Sequence, residues 1–307
     1  MKAALIQQHG GPEVLQYGDV PDPEAGSKEV VVDIYAASVN AADWKVRSGA
    51  SGQKKDFPYI MGRDFSGVVS AVGKDVAEFK IGDPVFGVCD IGQEGAYAER
   101  IAMKAAIVAK KPDSWSHLEA AALSLIGLTA LVSLEDTLDL KSGETILIQG
   151  GAGGVAGFAI ELAKHIGARV ITTASPSNHD YLRNLGADEI IDYNTQDFTE
   201  VVINCDAVLD TVGDDVAERS FSVLKPGGRA AFIASGMEPP KAPRGDVQSL
   251  RPKVGRDRPH LDRIIDLVAG GAIGIPMITE YPLAEAAAAH KVSEARHLRG
   301  KLVLRVR

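Results

Sequence analysis

The chain has 307 residues, enough for about two domains, and its 45% hydrophobic and 24% charged residues exclude an extended disordered protein. The net charge of −8 disfavours a nucleic-acid or anionic-membrane partner, because phosphate binding needs concentrated positive charge; residues 251–258 come nearest to a basic patch. Two isolated cysteines, Cys89 and Cys205, cannot form a disulfide framework, so we expect a reducing, cytoplasmic location.

Residues 1–110 have the pattern of a β domain. Apolar and β-branched runs such as 29–39 and 66–73 are separated by Gly/Pro clusters. The N-terminus reads as a first strand, because its apolar run is too short for a signal peptide. The apolar stretch 120–134 is shorter than a membrane span, and we expect a buried helix over 117–137. No membrane partner is expected.

From residue 144 onward, strand-like and helix-like segments alternate, which predicts a parallel, doubly wound α/β sheet. The expected strands are 144–149, 169–174, 189–193, 206–212, 229–235 and 247–254. The expected helices are 154–166, 178–186, 214–224 and 259–269. Helix 283–293 and strand 301–306 then return to the character of the first domain.

A glycine-rich loop, 150-GGAGGVAG-157, lies between the strand at 144–149 and the helix that follows. Read as G-x-G-x-x-A, it gives Gly151 the tight turn and removes side chains at Gly153 and Gly154, where a pyrophosphate would approach. Val155 then lies in the first helical turn, whose N–H groups can bind phosphate. The alternative is a tight strand–helix turn with no ligand.

The end of the next strand favours NADP(H) over NAD(H). An NAD site usually has an acid about 20 residues past the loop, to bind the ribose 2′-hydroxyl. Here 172-TTASPSNH-179 has no carboxylate, and Ser175, Asn178 and His179 can donate hydrogen bonds to a 2′-phosphate. The alternative is that these residues only cap the helix at 178–186.

A local zinc site cannot be read from the sequence. The seven histidines form no HxxxH or HExxH pair, and the two cysteines lack CxxC spacing. We therefore expect no metal.

Eight segments carry a family resemblance, in order and over nearly the full length. They are 38-SVNAADWKVRSG-49, 58-PYIMGRDFSGVVSAVG-73, 123-LSLIGLTAL-131, 146-ILIQGGAGGVAGFAIELAKHIGARVITTAS-175, 185-LGADEIIDY-193, 208-VLDTVG-213, 224-LKPGGR-229 and 298-LRGKLVLRV-306. With them the chain resembles the zinc-independent quinone oxidoreductase (zeta-crystallin-like) branch of the medium-chain dehydrogenase/reductase superfamily.

The resemblance implies a Rossmann dinucleotide-binding domain over 123–270, inserted into a GroES-like β domain made of 1–122 and 271–307. It also implies an active cleft between the domains and a homodimer through the edge strand 247–254. In zinc-dependent members, a cysteine matches Asn40 and a histidine matches Arg63, so both ligands are replaced here.

Further cofactor-binding candidates come from strand ends and from the resemblance. Ligands of such sheets lie at the carboxyl ends of the strands, although plain packing is the alternative for these positions. The strand-end candidates are Thr211, Val212, Ala234 and Ser235. The resemblance adds Thr129 on the nicotinamide–ribose side and Tyr193 at the adenosine phosphate. Arg299 and Lys301 could reach a cofactor phosphate, although a surface role is the default for both.

Two residues are candidates for catalysis. The amide of Asn40 could bind a cofactor hydroxyl or a substrate carbonyl, or only satisfy the turn before helix 41–47. Lys45 could stabilise an enolate or quinol oxygen, or be a solvated lysine. Some relatives have a tyrosine near position 50 as proton donor; here Ala50 stands there, so the proton donor is unassigned.

The sequence therefore predicts an NADPH-dependent oxidoreductase that passes hydride to a quinone or an α,β-unsaturated carbonyl without zinc. Two alternatives remain open: an NADPH-binding protein with a structural, sensing or RNA-related role, and a metal-free alcohol dehydrogenase.

Overall fold

The computed structural model describes residues 1–52, 55–90, 92–234 and 238–307, which form two compact units. Unit 1 contains Met1–Leu125, Gly255–Asp266 and Ile275–Arg307; unit 2 contains Ile126–Val254 and Leu267–Gly274. The domain limits expected from sequence differ from these units chiefly at Gly255–Asp266. This segment groups with unit 1, where the Arg258 guanidinium donates hydrogen bonds to the carbonyls of Val108 and Ala105.

Unit 1 begins with β-strands, as expected for residues 1–110. The strands are β1 (Lys2–Ile6), β2 (Leu15–Asp19), β3 (Glu29–Val39), β4 (Tyr59–Ile60), β5 (Asp64–Val72), β6 (Pro84–Val88), β7 (Arg100–Lys104) and β8 (Val108–Lys110). Helix α1 (Ala41–Arg47) follows β3 at the expected residues. Alternate residues of β3, such as Val30, Val32 and Ile34, are fully buried, because successive side chains of a strand point to opposite faces.

Helix α2 (His117–Leu131) continues into a π-helical turn, Val132–Thr137. This helical segment is long and apolar enough to cross a membrane by length and composition. However, 78% of its apolar window is buried within the protein, as in the core helix of a globular protein.

Unit 2 contains a parallel sheet of six strands within the described residues, in the order β11-β10-β9-β12-β13-β14. The strands are β9 (Thr145–Gln149), β10 (Arg169–Ala174), β11 (Glu189–Asp192), β12 (Cys205–Asp210), β13 (Leu224–Phe232) and β14 (Gln248–Leu250). The helices are α3 (Gly154–Ile166), α4 (His179–Asn184), α5 (Phe198–Val201) and α6 (Asp214–Arg219). The chain runs outward from β9 in both directions, so the strand order reverses between β9 and β12, where ligands of such sheets bind.

The last part of the chain returns to unit 1 after α7 (Arg258–Ala269). It forms β15 (Ile278–Pro282), α8 (Ala286–Glu294) and β16 (Lys301–Arg305). Strand β16 pairs antiparallel with β3, so residues from the two ends of the sequence share one sheet. The expected α/β fold, a Rossmann sheet inserted into a β domain, is confirmed.

Several elements differ from the sequence expectation; among them, β13 covers Leu224–Phe232 instead of 229–235. The sixth strand covers only Gln248–Leu250 instead of 247–254, because it pairs with only three residues of β13. These residues are Arg229, Ala230 and Ala231. Helix α6 ends at Arg219 and continues as a tight turn, Ser220–Val223, rather than as one helix over 214–224. The short helix α5 was not expected.

Candidate functional site

In unit 2, the glycine loop makes a sharp turn between β9 and α3. Gly150 has φ +75°, a conformation that glycine adopts without strain. The Gly150 and Gly151 N–H groups donate to Thr173 Oγ1 and to the Thr173 carbonyl, both at 3.0 Å. The turn is therefore fixed to β10, and α3 begins with N-cap Gly153, which makes no side-chain cap.

Space around the two motif glycines differs in a way that fits a phosphate site. A Cβ on Gly151 would lie 2.3 Å from Thr172 Oγ1, so this glycine is needed for packing. A Cβ on Gly153 would meet only the Gly150 carbonyl oxygen, at 3.5 Å, so its side is open. Gly153 is therefore a glycine that packing within the chain does not require, and the first-turn N–H groups of a 13-residue helix follow it. This open cradle fits a pyrophosphate.

The strand-end candidates lie beside this turn. Thr211 Oγ1 donates to the Gln149 carbonyl at 2.7 Å, which ties the end of β12 to the end of β9. A Cβ built on Gly150 would lie 2.9 Å from a Val212 methyl, and one on Gly213 would lie 3.2 Å from the Ala234 Cβ. Thr211, Val212 and Ala234 thus lie at the carboxyl ends of the sheet strands, where the glycine loop also lies. Ser235 lies outside the described residues.

The residues after β10 form their own hydrogen-bonded group. Asn178 Nδ2 donates to Ser175 Oγ at 3.1 Å, and His179 Nε2 lies 3.4 Å from the Ala174 carbonyl. Neither Ser175 nor Asn178 makes a side-chain cap to the helical turn that follows it, so the capping alternative is wrong for these two side chains. Asp180 is ion-paired with Arg183 at 2.6 Å on the exposed side of α4.

Four other cofactor-binding candidates lie on four different segments of the chain. Val155 is the second residue of α3 and is half-buried; Tyr193 follows β11 and is exposed. Thr129 lies on α2, where its carbonyl accepts a hydrogen bond from Ser133 Oγ at 2.7 Å. Arg299 is half-buried just before β16. Their cofactor contacts stay predictions.

In unit 1, Asn40 follows the last residue of β3 and is the N-cap of α1; hydrogen bonds hold both the nitrogen and the oxygen of its side-chain amide. Nδ2 donates to Asp64 Oδ1 at 3.2 Å and to the Ser38 carbonyl at 3.3 Å. Oδ1 accepts from Lys301 Nζ at 2.6 Å. Since both N–H groups of the amide are used, Asn40 has none left for a substrate carbonyl, and its oxygen is the side on which it can act.

Lys301 corrects the sequence reading of a surface lysine. It is buried, and Nζ also donates to the Val39 carbonyl at 2.6 Å. Burial lowers its pKa, while the charges of Asp64 and Asp43 oppose this effect. Because β16 pairs with β3, the C-terminal strand brings this ammonium to Asn40.

Asp64 is the buried acid of this group. Ser38 Oγ donates to both of its oxygens at 2.7 Å, and the Leu125 N–H donates to Oδ2 at 3.3 Å. Burial raises the pKa of Asp64 to about 6 against the opposing charge of Lys301. With donors on both oxygens, the carboxylate form fits at neutral pH.

A second charged group adjoins Asn40 through Asp43. The Asn40 N–H donates to Asp43 Oδ2 at 2.9 Å, and Tyr97 Oη donates to the same oxygen at 2.8 Å. Arg63 lies 3.6 Å from Asp43 Oδ1 and forms an ion pair with Glu94 Oε1 at 3.0 Å. Arg63 therefore pairs with these acids rather than with its sequence neighbour Asp64.

Lys45 is the second candidate for catalysis. It is half-buried on α1, with Nζ 5.7 Å from the centre of the Trp44 ring. Its role in catalysis stays a prediction.

Sequence reasoning missed Glu94, Tyr97 and His290. His290 Nε2 lies 3.3 Å from Tyr97 Oη, and its Nδ1 lies 3.2 Å from Arg47 Nη1. Glu94 and Tyr97 lie close together in sequence, but His290 is 193 residues from Tyr97, and Asp43, to which Tyr97 donates, is 54 residues away, so no local spacing marks these partners. Among the described residues, no group of three or more His, Cys, Asp or Glu is placed to hold a metal ion.

Comparison with known proteins identifies the family. Residues 26–113 match the alcohol dehydrogenase GroES-like domain, and residues 185–304 match a domain described as zinc-binding dehydrogenase. The chain is 34% identical to a quinone oxidoreductase from Pseudomonas aeruginosa, over 99% of both proteins. The chain belongs to the quinone oxidoreductase branch of the medium-chain dehydrogenase/reductase superfamily. The family resemblance read from the sequence is confirmed.

Two further family members bear on the cofactor. An NADPH-dependent alkenal/one oxidoreductase from Arabidopsis thaliana chloroplasts is 31% identical, over 99% of this chain and 79% of that protein. The structure of a quinone oxidoreductase from Escherichia coli, complexed with NADPH, superposes with a TM-score of 0.92 over 100% of both chains at 28% identity.

Proposed function

We propose that this protein is an NADPH-dependent oxidoreductase that transfers hydride to a quinone or an α,β-unsaturated carbonyl compound, without zinc. The observation that carries the proposal is the open cradle at Gly153, at the start of α3, in a chain of the quinone oxidoreductase family. Quinone, alkenal and NADPH chemistry among its relatives supports the choice of substrate and cofactor.

NADPH would be held by the first-turn N–H groups after Gly153, with Ser175, Asn178 and His179 at the 2′-phosphate. The segment 172–179 contains no carboxylate to repel that phosphate, and the next residue, Asp180, forms an exposed ion pair with Arg183. Bound NADPH supplies the hydride, and the protein supplies position and electrostatics.

The zinc-free part of the proposal rests on the residues around Asn40. The Asn40 amide donates its N–H groups to Asp64 and Ser38, its oxygen already accepts from Lys301, and the buried Lys301 ammonium would repel a cation there. Conjugated acceptors need less activation than simple ketones, because hydride addition leaves a delocalised anion.

The test is NADPH oxidation against a panel of quinones, enals and simple ketones, with and without a zinc chelator. We expect turnover of conjugated acceptors, unaffected by the chelator, and weaker binding of NADH than of NADPH. No turnover of any conjugated acceptor would refute the proposal. NADPH binding without turnover would favour a structural or sensing role, and alcohol-dependent NADP⁺ reduction would favour a metal-free alcohol dehydrogenase.

We further propose a cytoplasmic homodimer that pairs through the β14 edge of the sheet in unit 2. Strand β14 bonds to β13 on one side only within the described residues, and an edge strand presents unpaired N–H and C=O groups. Cys89 and Cys205 are free thiols, as a reducing compartment maintains them. A monomer in light scattering at micromolar concentration would contradict the dimer.

A further inference from the structure

A series of side-chain hydrogen bonds starts at the glycine loop of unit 2 and runs through the interior of its sheet. The Gly150 N–H donates to Thr173 Oγ1 at 3.0 Å, and the Thr173 hydroxyl donates to Gln149 Oε1 at 2.8 Å. Gln149 Nε2 donates to Ser220 Oγ at 3.2 Å, and the Ser220 hydroxyl donates to the Val216 carbonyl at 2.7 Å. We call Thr173, Gln149 and Ser220 the polar bridge.

The neighbours of Gln149 fix the orientation of its amide. Thr173 Oγ1 accepts from a backbone N–H, so its own hydrogen points to Gln149, and the amide atom that faces it is the oxygen. Ser220 gives its hydrogen to a backbone carbonyl, so it accepts from Gln149, and the amide atom that faces it is the nitrogen. Gln149, Thr173 and Ser220 are all buried, where a lost hydrogen bond is not replaced by water. The polar bridge is therefore held in one arrangement.

Gln149 connects the ends of several elements of the sheet. It is the last residue of β9, while Thr173 lies on β10 and Ser220 follows α6. Its backbone carbonyl also accepts from Thr211 Oγ1, just after β12, at 2.7 Å. The loop after β9 and the segment after β12 are therefore both bound to Gln149. These are the two loops on either side of the point where the strand order reverses.

Gly150 connects the polar bridge to the open cradle. The Gly153 N–H donates to the Gly150 carbonyl at 3.1 Å, while the Gly150 N–H is held by Thr173. The oxygen of that carbonyl is also the one atom that a Cβ on Gly153 would meet. The backbone that borders the cradle is thus held in place from the interior of the sheet.

Resting on the proposed function, we propose that Gln149 and Thr173 are positioning residues for NADPH. The polar bridge holds the glycine loop in the conformation whose first-turn N–H groups bind the pyrophosphate. Without the bridge the loop samples other conformations, and the apparent affinity falls by the fraction of molecules that keep the binding conformation. Because the bridge runs from a backbone N–H to a backbone carbonyl and contains no ionisable group, its effect should not depend on pH.

The first test compares two neighbouring threonines of β10. Thr173→Val keeps the shape of the side chain and removes the hydroxyl that holds Gly150. Thr172→Val is the matched control, because Thr172 is also buried but its hydroxyl donates to the Ile148 carbonyl of β9. In NADPH fluorescence titrations, Thr173→Val should bind about 10-fold more weakly than wild type, and Thr172→Val should bind as wild type does. Thr173→Ser, which keeps the hydroxyl, should restore the affinity.

The second test observes the loop itself and needs no cofactor. Hydrogen–deuterium exchange of the Gly150 N–H is followed by NMR in the cofactor-free protein. We expect faster exchange in Thr173→Val and the wild-type rate in Thr172→Val. An unchanged exchange rate in Thr173→Val overturns the inference, because the polar bridge would then not restrain the loop.

The third test separates positioning from loss of folded protein. Saturating NADPH selects the binding conformation, so Thr173→Val should raise the KM for NADPH about 10-fold and leave kcat within about twofold of wild type. A purely structural role would instead lower apparent kcat at unchanged KM. If Thr173→Val does not fold, Gln149→Met carries the same prediction, because it removes both amide contacts at similar side-chain length.

Failure of the positioning role and failure of the proposed function give different results. Wild-type NADPH affinity in a folded Thr173→Val or Gln149→Met overturns the positioning role and leaves the proposed function standing. A wild-type protein that binds no NADPH refutes the proposed function, and the positioning role with it.

Discussion

Gly153 and Gly151 are separated by one residue, yet the fold should tolerate an added methyl group at Gly153 and not at Gly151. Gly153 has φ −72° and ψ 158°, which alanine adopts freely, and its Cβ would meet only one atom, at 3.5 Å. Replacing glycine at such a site reduces the entropy of the unfolded chain, which favours the fold by up to about 1 kcal/mol. Alanine is, however, a poorer N-cap than glycine by a similar amount, so Gly153→Ala should leave the free energy of unfolding within about 1 kcal/mol of the wild-type value. The Cβ of Gly151→Ala would lie 2.3 Å from Thr172 Oγ1, a buried hydroxyl that donates to the Ile148 carbonyl. This variant should destabilise the fold by about 1–3 kcal/mol.

NADPH binding, by contrast, should be sensitive to a methyl group at Gly153. A methyl group at Gly153 occupies the open side of the loop, where a phosphate oxygen would otherwise meet the backbone. Loss of one charge-assisted hydrogen bond, about 1.5–3 kcal/mol, corresponds to about 10- to 100-fold weaker NADPH binding. Denaturant melts measure the first effect, and NADPH fluorescence titration measures the second. Wild-type NADPH affinity in a stable Gly153→Ala would refute the phosphate site at this loop.

Three other outcomes are expected. Ser175→Asp should weaken NADPH binding more than NADH binding, because the carboxylate repels the 2′-phosphate; fluorescence titration with both cofactors checks this, and an unchanged ratio contradicts it. Lys301→Met should cost about 3–5 kcal/mol in denaturant melts, because Asp64 loses its buried cation, and a neutral effect would mean that Asp64 is protonated. The pKa of Glu94 is raised from 4.5 to about 7, so its protonated form stabilises the fold. This contribution is complete below about pH 4.5 and is lost as pH rises through about 7. In denaturant melts across this range, the free energy of unfolding should fall by about 3 kcal/mol in the wild type and should not show this fall in Glu94→Gln.

Local patterns were sufficient to predict most of the fold. Helices α1 and α3 and strand β10 have the expected bounds, because each has a clear period and a clear breaker beside it. Strand β14 is shorter than its apolar pattern, since its length depends on how many residues of β13 can pair with it. That is a tertiary constraint which the segment's own residues do not carry.

In the candidate site, too, local sequence predicted some residues and not others. The glycine loop could be predicted because its residues are contiguous and each glycine has a local backbone reason. The ion pairs of Arg63 with Asp43 and Glu94 could not be predicted, because these three residues are far apart in sequence and only the folding of unit 1 brings them together. For Lys301 the sequence offered a cofactor phosphate or, by default, the surface, because lysines are seldom buried and its partner Asn40 lies 261 residues away.

The two units contribute different physics to the proposed reaction. Around the glycine loop, unit 2 offers backbone N–H groups and hydroxyls, and the side chains there carry little charge. Around Asn40, unit 1 instead buries the acids Asp43 and Asp64 and the Lys301 ammonium, with the partly exposed Arg63 beside Asp43. Uncharged backbone donors hold the cofactor about equally in ground and transition states, whereas buried charges act most strongly where charge develops. Substitutions at the loop should therefore change cofactor affinity at constant pH dependence, and substitutions around Asn40 should change kcat and its pH profile at nearly constant affinity.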